Sequence, residues 1–170
     1  MNYEKMLKVK PLQEKLYSSY CGPASLKIVL DYFGVKKSED ELAKLTKTDK
    51  NLGTDDWRIK KAAESLGFKV KIKEHCSFKD IEKWLDKKVP IIVDWFTCGR
   101  KDYPEEIFVP DGHYSVVAGL DKKYIYLQDP EIGRIRKLNR DNFLNVWFDY
   151  RGKYIKPDEL IIRQIIAIYK

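Results

Sequence analysis

Cysteine is scarce in this chain of 170 residues, which holds only Cys21, Cys76 and Cys98. An odd number cannot all pair, and none stands in the C-x-x-C spacing of a zinc or redox site, so a disulfide framework is not expected and reduced thiols are. Long apolar runs are missing too. No stretch reaches the roughly 20 apolar residues of a membrane span, and the segment from Met1 to Lys10 lacks the apolar centre of a signal peptide. A soluble, cytoplasmic protein with no membrane span is the expectation. Blocks of one charge sign are also absent. The formal net charge is +7, but its basic residues come as scattered pairs (Lys36-Lys37, Lys60-Lys61, Lys87-Lys88, Lys122-Lys123) among acidic neighbours. Phosphate binding needs Lys and Arg gathered on one face, so nucleic acid is not expected as a partner, whereas a peptide or protein is.

The most informative stretch runs from Tyr20 to Gly34. From Ala24 to Phe33 apolar residues fall on nearly every side of a 3.6-residue repeat, the pattern of a helix buried all round. Pro23 suits the first helical turn and Gly34 the residue past the end, which puts Cys21 at the helix N-terminus. There the unpaired backbone N–H groups and the helix dipole favour the thiolate, the nucleophilic form of cysteine.

Around this helix the length fits one domain, residues 1–170, with a single core. The first 20 residues lack a period and read as an extended arm. Ser38 to Glu41 has capping-box spacing and opens a short helix carrying Leu42, Ala43 and Leu45. A second helix follows Gly53 to Asp56 with Ile59, Ala62, Ala63 and Leu66 on one stripe, and a third follows Ser77 with Phe78, Ile81 and Leu85. The second half shifts to a period of two. Phe68, Val70 and Ile72 alternate with lysines as in an edge strand, and Val89 to Phe96 reads as a central one. His113 to Leu120 and Tyr124 to Gln128 read as a hairpin, Arg134 to Leu138 continues it, Asp141 to Trp147 reads as a short helix, and Leu160 to Tyr169 as a last strand. The fold class is α+β, helices first and then an antiparallel sheet. The segment from Thr97 to Gly112 is a long loop, and long loops are often functional.

A three-residue turn in the hairpin pairs Val117 with Ile125, Ser115 with Leu127 and His113 with Asp129. An imidazole facing a carboxylate has its tautomer fixed and its charged form supported. Packing the start of the Cys21 helix on this sheet yields a Cys-His-Asp set for acyl transfer. In it Cys21 attacks a carbonyl, His113 protonates the leaving group, and water releases the acyl-enzyme. The Cys21 backbone N–H is a natural oxyanion donor, Gln13 an upstream side-chain candidate for a second, and the hydroxyls of Ser18 and Ser19 its competitors.

Four pieces in this order carry a resemblance: Cys21-Gly22-Pro23-Ala24-Ser25-Leu26 before a helix ending Tyr32-Phe33-Gly34, Gly53-Thr54 opening a helix that ends Leu66-Gly67, Asp111-Gly112-His113-Tyr114 opening a strand, and Asp129-Pro130 followed by Gly133. From about Gln13 to Phe148 the chain resembles the double-glycine leader peptidases, the bacteriocin-processing papain-like cysteine peptidases found on ABC exporters and also free-standing. The resemblance implies a papain-like fold with Cys21 as nucleophile, His113 as base and Asp129 as its orienting partner. It also implies a peptide or protein substrate with a leader segment, association with an ABC exporter, and neither cofactor nor metal. It further implies a glutamine in the oxyanion hole. The family's glutamine usually lies six residues before the cysteine, whereas Gln13 lies eight before Cys21 and Lys15 occupies the usual place.

Blander readings apply to other residues. His75 and Cys76 are adjacent and point apart in an extended segment, a poor pair of metal ligands. Cys98 follows a strand and lacks a helix dipole. Trp84, Trp95, Trp147 and Phe148 read as core. Two alternatives to a peptidase stand on the same residues: an idle module that binds a leader-like peptide, and a papain-like acyl transferase of transglutaminase-like or phytochelatin-synthase-like type.

Overall fold

The computed structural model describes residues 6–16, 19–97 and 111–170. Ser18, Cys98 and nearly all of the 97–112 loop lie outside these. The helix of the Cys21 segment is α1 (Cys21–Tyr32), stopped at Phe33 and Gly34, the latter at φ +81°. Leu26, Ile28, Val29 and Leu30 are essentially without exposure, each such burial stabilising the fold by about 1.5–3 kcal/mol. Gly22 is required at its start, since a Cβ there would lie 2.7 Å from Cβ of Thr54. The absent side chain lets the helix end sit directly on the Gly53-Thr54 corner.

Helix α2 (Glu39–Leu45) has the expected capping box: Ser38 Oγ accepts from the Glu41 N–H at 3.2 Å and the Glu41 carboxylate accepts from the Ser38 N–H at 2.8 Å. Leu42 and Ala43 are buried, whereas Leu45, the third apolar residue named on this helix, is exposed. Helix α3 (Asp56–Ser65) buries Ile59, Ala62 and Ala63 and closes at Leu66 and Gly67. In α4 (Phe78–Asp86) the Ser77 N–H donates to Asp80, and Ile81 and Leu85 face the core. A short α5 (Arg140–Val146) is capped by Asn139.

Six strands form the main antiparallel sheet: β1 (Lys69–Lys73), β2 (Ile91–Thr97), β3 (Asp111–Leu120), β4 (Tyr124–Asp129), β5 (Arg134–Asn139) and β8 (Ile165–Tyr169). Their order is β1-β8-β2-β3-β4-β5, so the lysine-alternating β1 is an edge and the apolar β2 is central. Successive residues of the central strands point to opposite cores, as the two-residue period requires. Ile92, Val116 and Ile166 pack with α1, α2 and α3, and Val93, Val117 and Ile165 pack with α4 and α5. The N-terminal arm crosses the sheet, with Leu7 buried and its N–H donating to the Ala118 carbonyl at 2.7 Å.

Two expectations require correction. Leu160 to Tyr169 is not one strand but two. Arg163 takes a left-handed φ of +49°, which ends β7 (Leu160–Ile162) and sends the chain on as β8. Strand β7 pairs with β6 (Phe148–Tyr150) in a separate two-stranded sheet. The β3–β4 register also differs. Leu120 pairs with Ile125, a bulge follows between Val117 and Gly119, and Val117 then pairs with Leu127 where Ile125 was expected. The tighter turn and the bulge together displace the pairing by two residues. A two-residue slip keeps every side chain on its face, so His113 and Asp129 are diagonal neighbours on one face instead of direct partners.

Candidate active site

The diagonal suffices for contact. His113 Nε2 lies 2.7 Å from Asp129 Oδ1, and both side chains are buried. The Asp129 carboxylate is further held by the Glu131 N–H at 3.0 Å and by Arg136 Nε, which donates to Oδ2 at 2.6 Å. Burial alone would make this carboxyl a weaker acid, but His113 and then Arg136 outweigh it and hold its pKa at about 2. Burial likewise opposes charge on His113, yet the Asp129 carboxylate keeps the ring pKa well above its ordinary value. Trp95 stands edge-on to the imidazole with centroids 6.0 Å apart, and its indole N–H donates to Ser115 Oγ at 3.0 Å. It is core, as expected, and it also walls the ring.

Helix α1 packs on β3 and brings Cys21 to this pair. The thiol lies beside the His113 ring, and His113 and the Tyr114 backbone both favour its ionised form. With Nε2 turned to Asp129, Nδ1 is the nitrogen left for Cys21. The helix start was expected to favour the thiolate. Burial outweighs it and pushes the Cys21 thiol up, opposed by His113 and reinforced by the charge of Glu14.

Cys21 and His113 line an open cleft of about 630 Å³ between the α1 start, the Gly53-Thr54 corner, β3 and the β6 region. Several residues there were not singled out by sequence: Glu14, Asp94, Glu131 and Asp149. Asp94 lies on β2 beside Tyr114 of β3, is 1% exposed, and faces Asp149. Burial and then the charge of Asp149 raise Asp94 well above the carboxylate range, and burial raises Asp149 as well. Two carboxyls that meet out of water resist ionising together. Gly112 makes room for them, because a Cβ there would lie 2.0 Å from Asp149 Oδ2.

Gln13 is not brought to the cleft. It is exposed, its amide donates to the Glu131 carbonyl at 3.2 Å, and it packs on Gly133. Ser19 lines the cleft, but its hydroxyl donates to the Lys50 carbonyl at 2.8 Å. Away from the cleft, His75 is exposed, and Cys76 is buried with its thiol pushed up to about 11 by desolvation. Among the described residues one cluster has the spacing to hold a metal ion, His113, Asp129 and Glu131, and there the imidazole and the Asp129 carboxylate already bond each other.

Over 128 residues the chain is 32% identical to a lactococcin transport/processing ATP-binding protein, LcnC-like, of Lactococcus lactis subsp. lactis (strain IL1403), covering 75% of this chain and 16% of that protein. The chain thus spans about a sixth of the length of such curated relatives. It is also 32% identical over 124 residues to an uncharacterized protein of Methanothermobacter thermautotrophicus, covering 73% of this chain and 72% of the other. Among solved structures, a double glycine motif protease from an AMS/PCAT transporter, crystallised with the leader peptide, superposes with a TM-score of 0.66 at 21% identity over 98% of this chain and 94% of that one. The likeness shows the papain-like fold. Residues 6–155 match the Peptidase_C39 like family, and the chain belongs to that family of cysteine peptidases.

Proposed function

We propose that the protein hydrolyses a peptide bond through a thioester on Cys21, with His113 as base and acid and Asp129 as its orienting partner. The observation that carries this is the placement of the Cys21 sulfur beside the His113 ring, whose Nε2 lies 2.7 Å from the buried Asp129 carboxylate. Loss of one proton leaves a thiolate beside an imidazolium. The sulfur forms a bond to the substrate carbonyl carbon, and the oxygen takes up the displaced electron pair near the Cys21 N–H. As the C–N bond breaks, His113 gives its proton to the leaving amine. It then takes one from water, which cleaves the thioester and frees the acid. The chain's own groups are sufficient for each of these steps.

The substrate that fits this reading is a peptide with a Gly-Gly-type leader, cut after the leader. Support comes from the transporter-borne relatives and from the leader peptide bound to the similar protease. Association with an ABC exporter and a cytoplasmic setting, where thiols stay reduced, go with it. The raised thiol also suits an idle leader-binding module, and one experiment separates the two. Cleavage of a peptide library containing Gly-Gly leaders is compared between the native protein and Cys21→Ala, alongside iodoacetamide labelling of the thiols at pH 7. Cleavage lost in Cys21→Ala, with Cys21 labelled faster than Cys76, is expected. No cleavage, with Cys21 as inert as Cys76, overturns the peptidase reading.

A further inference from the structure

The arm that enters α1 presents to the cleft a group that no spacing rule singles out. Glu14 N–H donates to the Pro130 carbonyl at 2.8 Å, and Lys15 N–H donates to the Glu39 carboxylate at 3.1 Å, which fixes the arm along the β4–β5 turn and α2. In an extended segment neighbouring side chains alternate. Gln13 and Lys15 are therefore exposed, and Glu14 between them turns inward to line the cleft with Cys21 and His113. Its Oε2 is fully buried and has no hydrogen-bond partner. A buried carboxyl oxygen without a partner is unfavourable unless something arrives to bond it.

The groups facing Glu14 come from every element around it: Cys21 from α1, His113 from β3, Asp129 and Glu131 from the end of β4 and its turn, and Glu39 from α2. Burial raises its pKa first, His113 opposes, and the three carboxylates add to the rise, bringing it from 4.5 to about 7. Near neutral pH a large fraction of molecules carry Glu14 as the uncharged acid, and the acid has an O–H to give.

We infer that Glu14, as its neutral acid, is the side-chain hydrogen-bond donor to the oxyanion formed when Cys21 attacks a carbonyl. The inference rests on Cys21 being the nucleophile. As the sulfur–carbon bond forms, the carbonyl electron pair moves to oxygen, which accepts hydrogen bonds from the Cys21 N–H and the Glu14 O–H. Glu14 keeps its proton. When the C–N bond breaks, the pair returns to the carbonyl and the amine leaves with the proton of His113. Ionised Glu14 reverses both contributions, since it repels the oxyanion and its charge disfavours the Cys21 thiolate. The acid takes the place of the amide that Gln13 was expected to supply.

The test compares two reactions of the same thiol in the full chain, with the Cys21→Ala background subtracted. Iodoacetamide alkylates the sulfur at a saturated carbon and develops no oxyanion; p-nitrophenyl acetate acylates it through one, read as a burst of p-nitrophenolate. Their rate ratio between pH 5.5 and 8.5 isolates the donor from thiolate formation. In the native protein the ratio should fall as pH passes about 7. In Glu14→Gln, a neutral donor of the same length at any pH, it should stay level and exceed the native ratio at pH 8. In Glu14→Ala it should be lower by at least about tenfold at pH 6. A native ratio without pH dependence, or a Glu14→Gln ratio that still falls near pH 7, overturns the inference, and the near-isosteric glutamine keeps the test decisive should the alanine variant not fold. If native Cys21 neither alkylates nor acylates above background, the peptidase reading itself fails and this inference falls with it.

Discussion

Beyond His113, the Asp129 carboxylate depends on Arg136. This arginine sits on β5 opposite Leu127, its Nε donates to Asp129 Oδ2, and its guanidinium lies 5.6 Å from the Trp95 ring centroid. Asp129 has no exposed surface, so removing Arg136 leaves Oδ2 without a donor and water unable to replace it. Breaking a buried pair from one side costs about 3–5 kcal/mol, and a hydrogen bond to a charged group is worth about 1.5–3. The Arg136 side chain keeps 23% of its exposure, so solvent already screens part of its charge and the lower figures apply. Arg136→Met, which preserves the stem over Trp95, should lower stability by about 2 kcal/mol in urea unfolding at pH 7. The pair itself is isolated by a cycle of Arg136→Met, Asp129→Asn and the double variant. A coupling above about 1.5 kcal/mol is expected, and one below about 0.5, the level of an exposed surface pair, refutes the assignment of Arg136 as the carboxylate's anchor.

Two further outcomes follow from the same contacts. Gly112→Ala places a methyl 2.0 Å from Asp149 Oδ2 and forces that carboxyl away from Asp94; a loss of about 1–3 kcal/mol by chemical denaturation is expected, and unchanged stability would show that the cleft floor shifts freely. Asp129 has its pKa lowered from 3.8 to about 2, so its stabilisation is complete above pH 3.8 and lost as pH falls toward 2, about 2 kcal/mol in all. The gap in urea unfolding between the native protein and Asp129→Asn should therefore narrow from pH 5 to pH 2.5, where about a third of it remains, and a gap as wide at the lower pH as at pH 5 argues against the depressed acidity.

Where the sequence succeeded, a local physical constraint left one choice. Pro23 and Gly34 bracket α1 and an all-round apolar pattern buries it, so its ends and its environment were both legible. The lysines of β1 announced an edge, and the run into Phe96 announced a centre. The hairpin register was not fixed locally. The Asp121-Lys122-Lys123 turn tolerates more than one closure, and a bulge near Ala118 has no signal in Val116-Val117-Ala118-Gly119. The contact between His113 and Asp129 survived because a slip of two residues conserves the face. The break after Ile162 was hidden in an apolar run, where Arg163-Gln164 was the available sign. Gln164 is buried there because its amide donates to Asp56 at 2.8 Å, a tertiary contact across more than a hundred residues.

The site was legible in its sulfur and imidazole and much less so in its acids. Which way an aperiodic arm faces depends on what it lies against. The bond from Glu14 N–H to Pro130, absent from any sequence pattern, turns Gln13 out and Glu14 in. Asp94 was visible in principle as a lone acid inside the apolar run of β2, and Arg136 as a strand arginine three residues beyond Gly133, but neither residue type at that place names its partner. Net charge misleads for a related reason. A formal +7 is a sum over the whole chain, whereas the cleft is lined by Glu14, Asp56, Asp94, Glu131 and Asp149 against few cations. Burial then changes what those acids are. Glu14, Asp94 and Asp149 are all pushed toward the neutral form, while Asp129, paired with His113 and Arg136, is pushed the other way. An ionised carboxylate behind the imidazole, with Glu14, Asp94 and Asp149 pushed toward the neutral form in front of it and Asp56 held ionised by Arg151, is an arrangement that supports an imidazolium and leaves room for a developing negative charge. It follows from desolvation and pairing, which act only after the chain has folded.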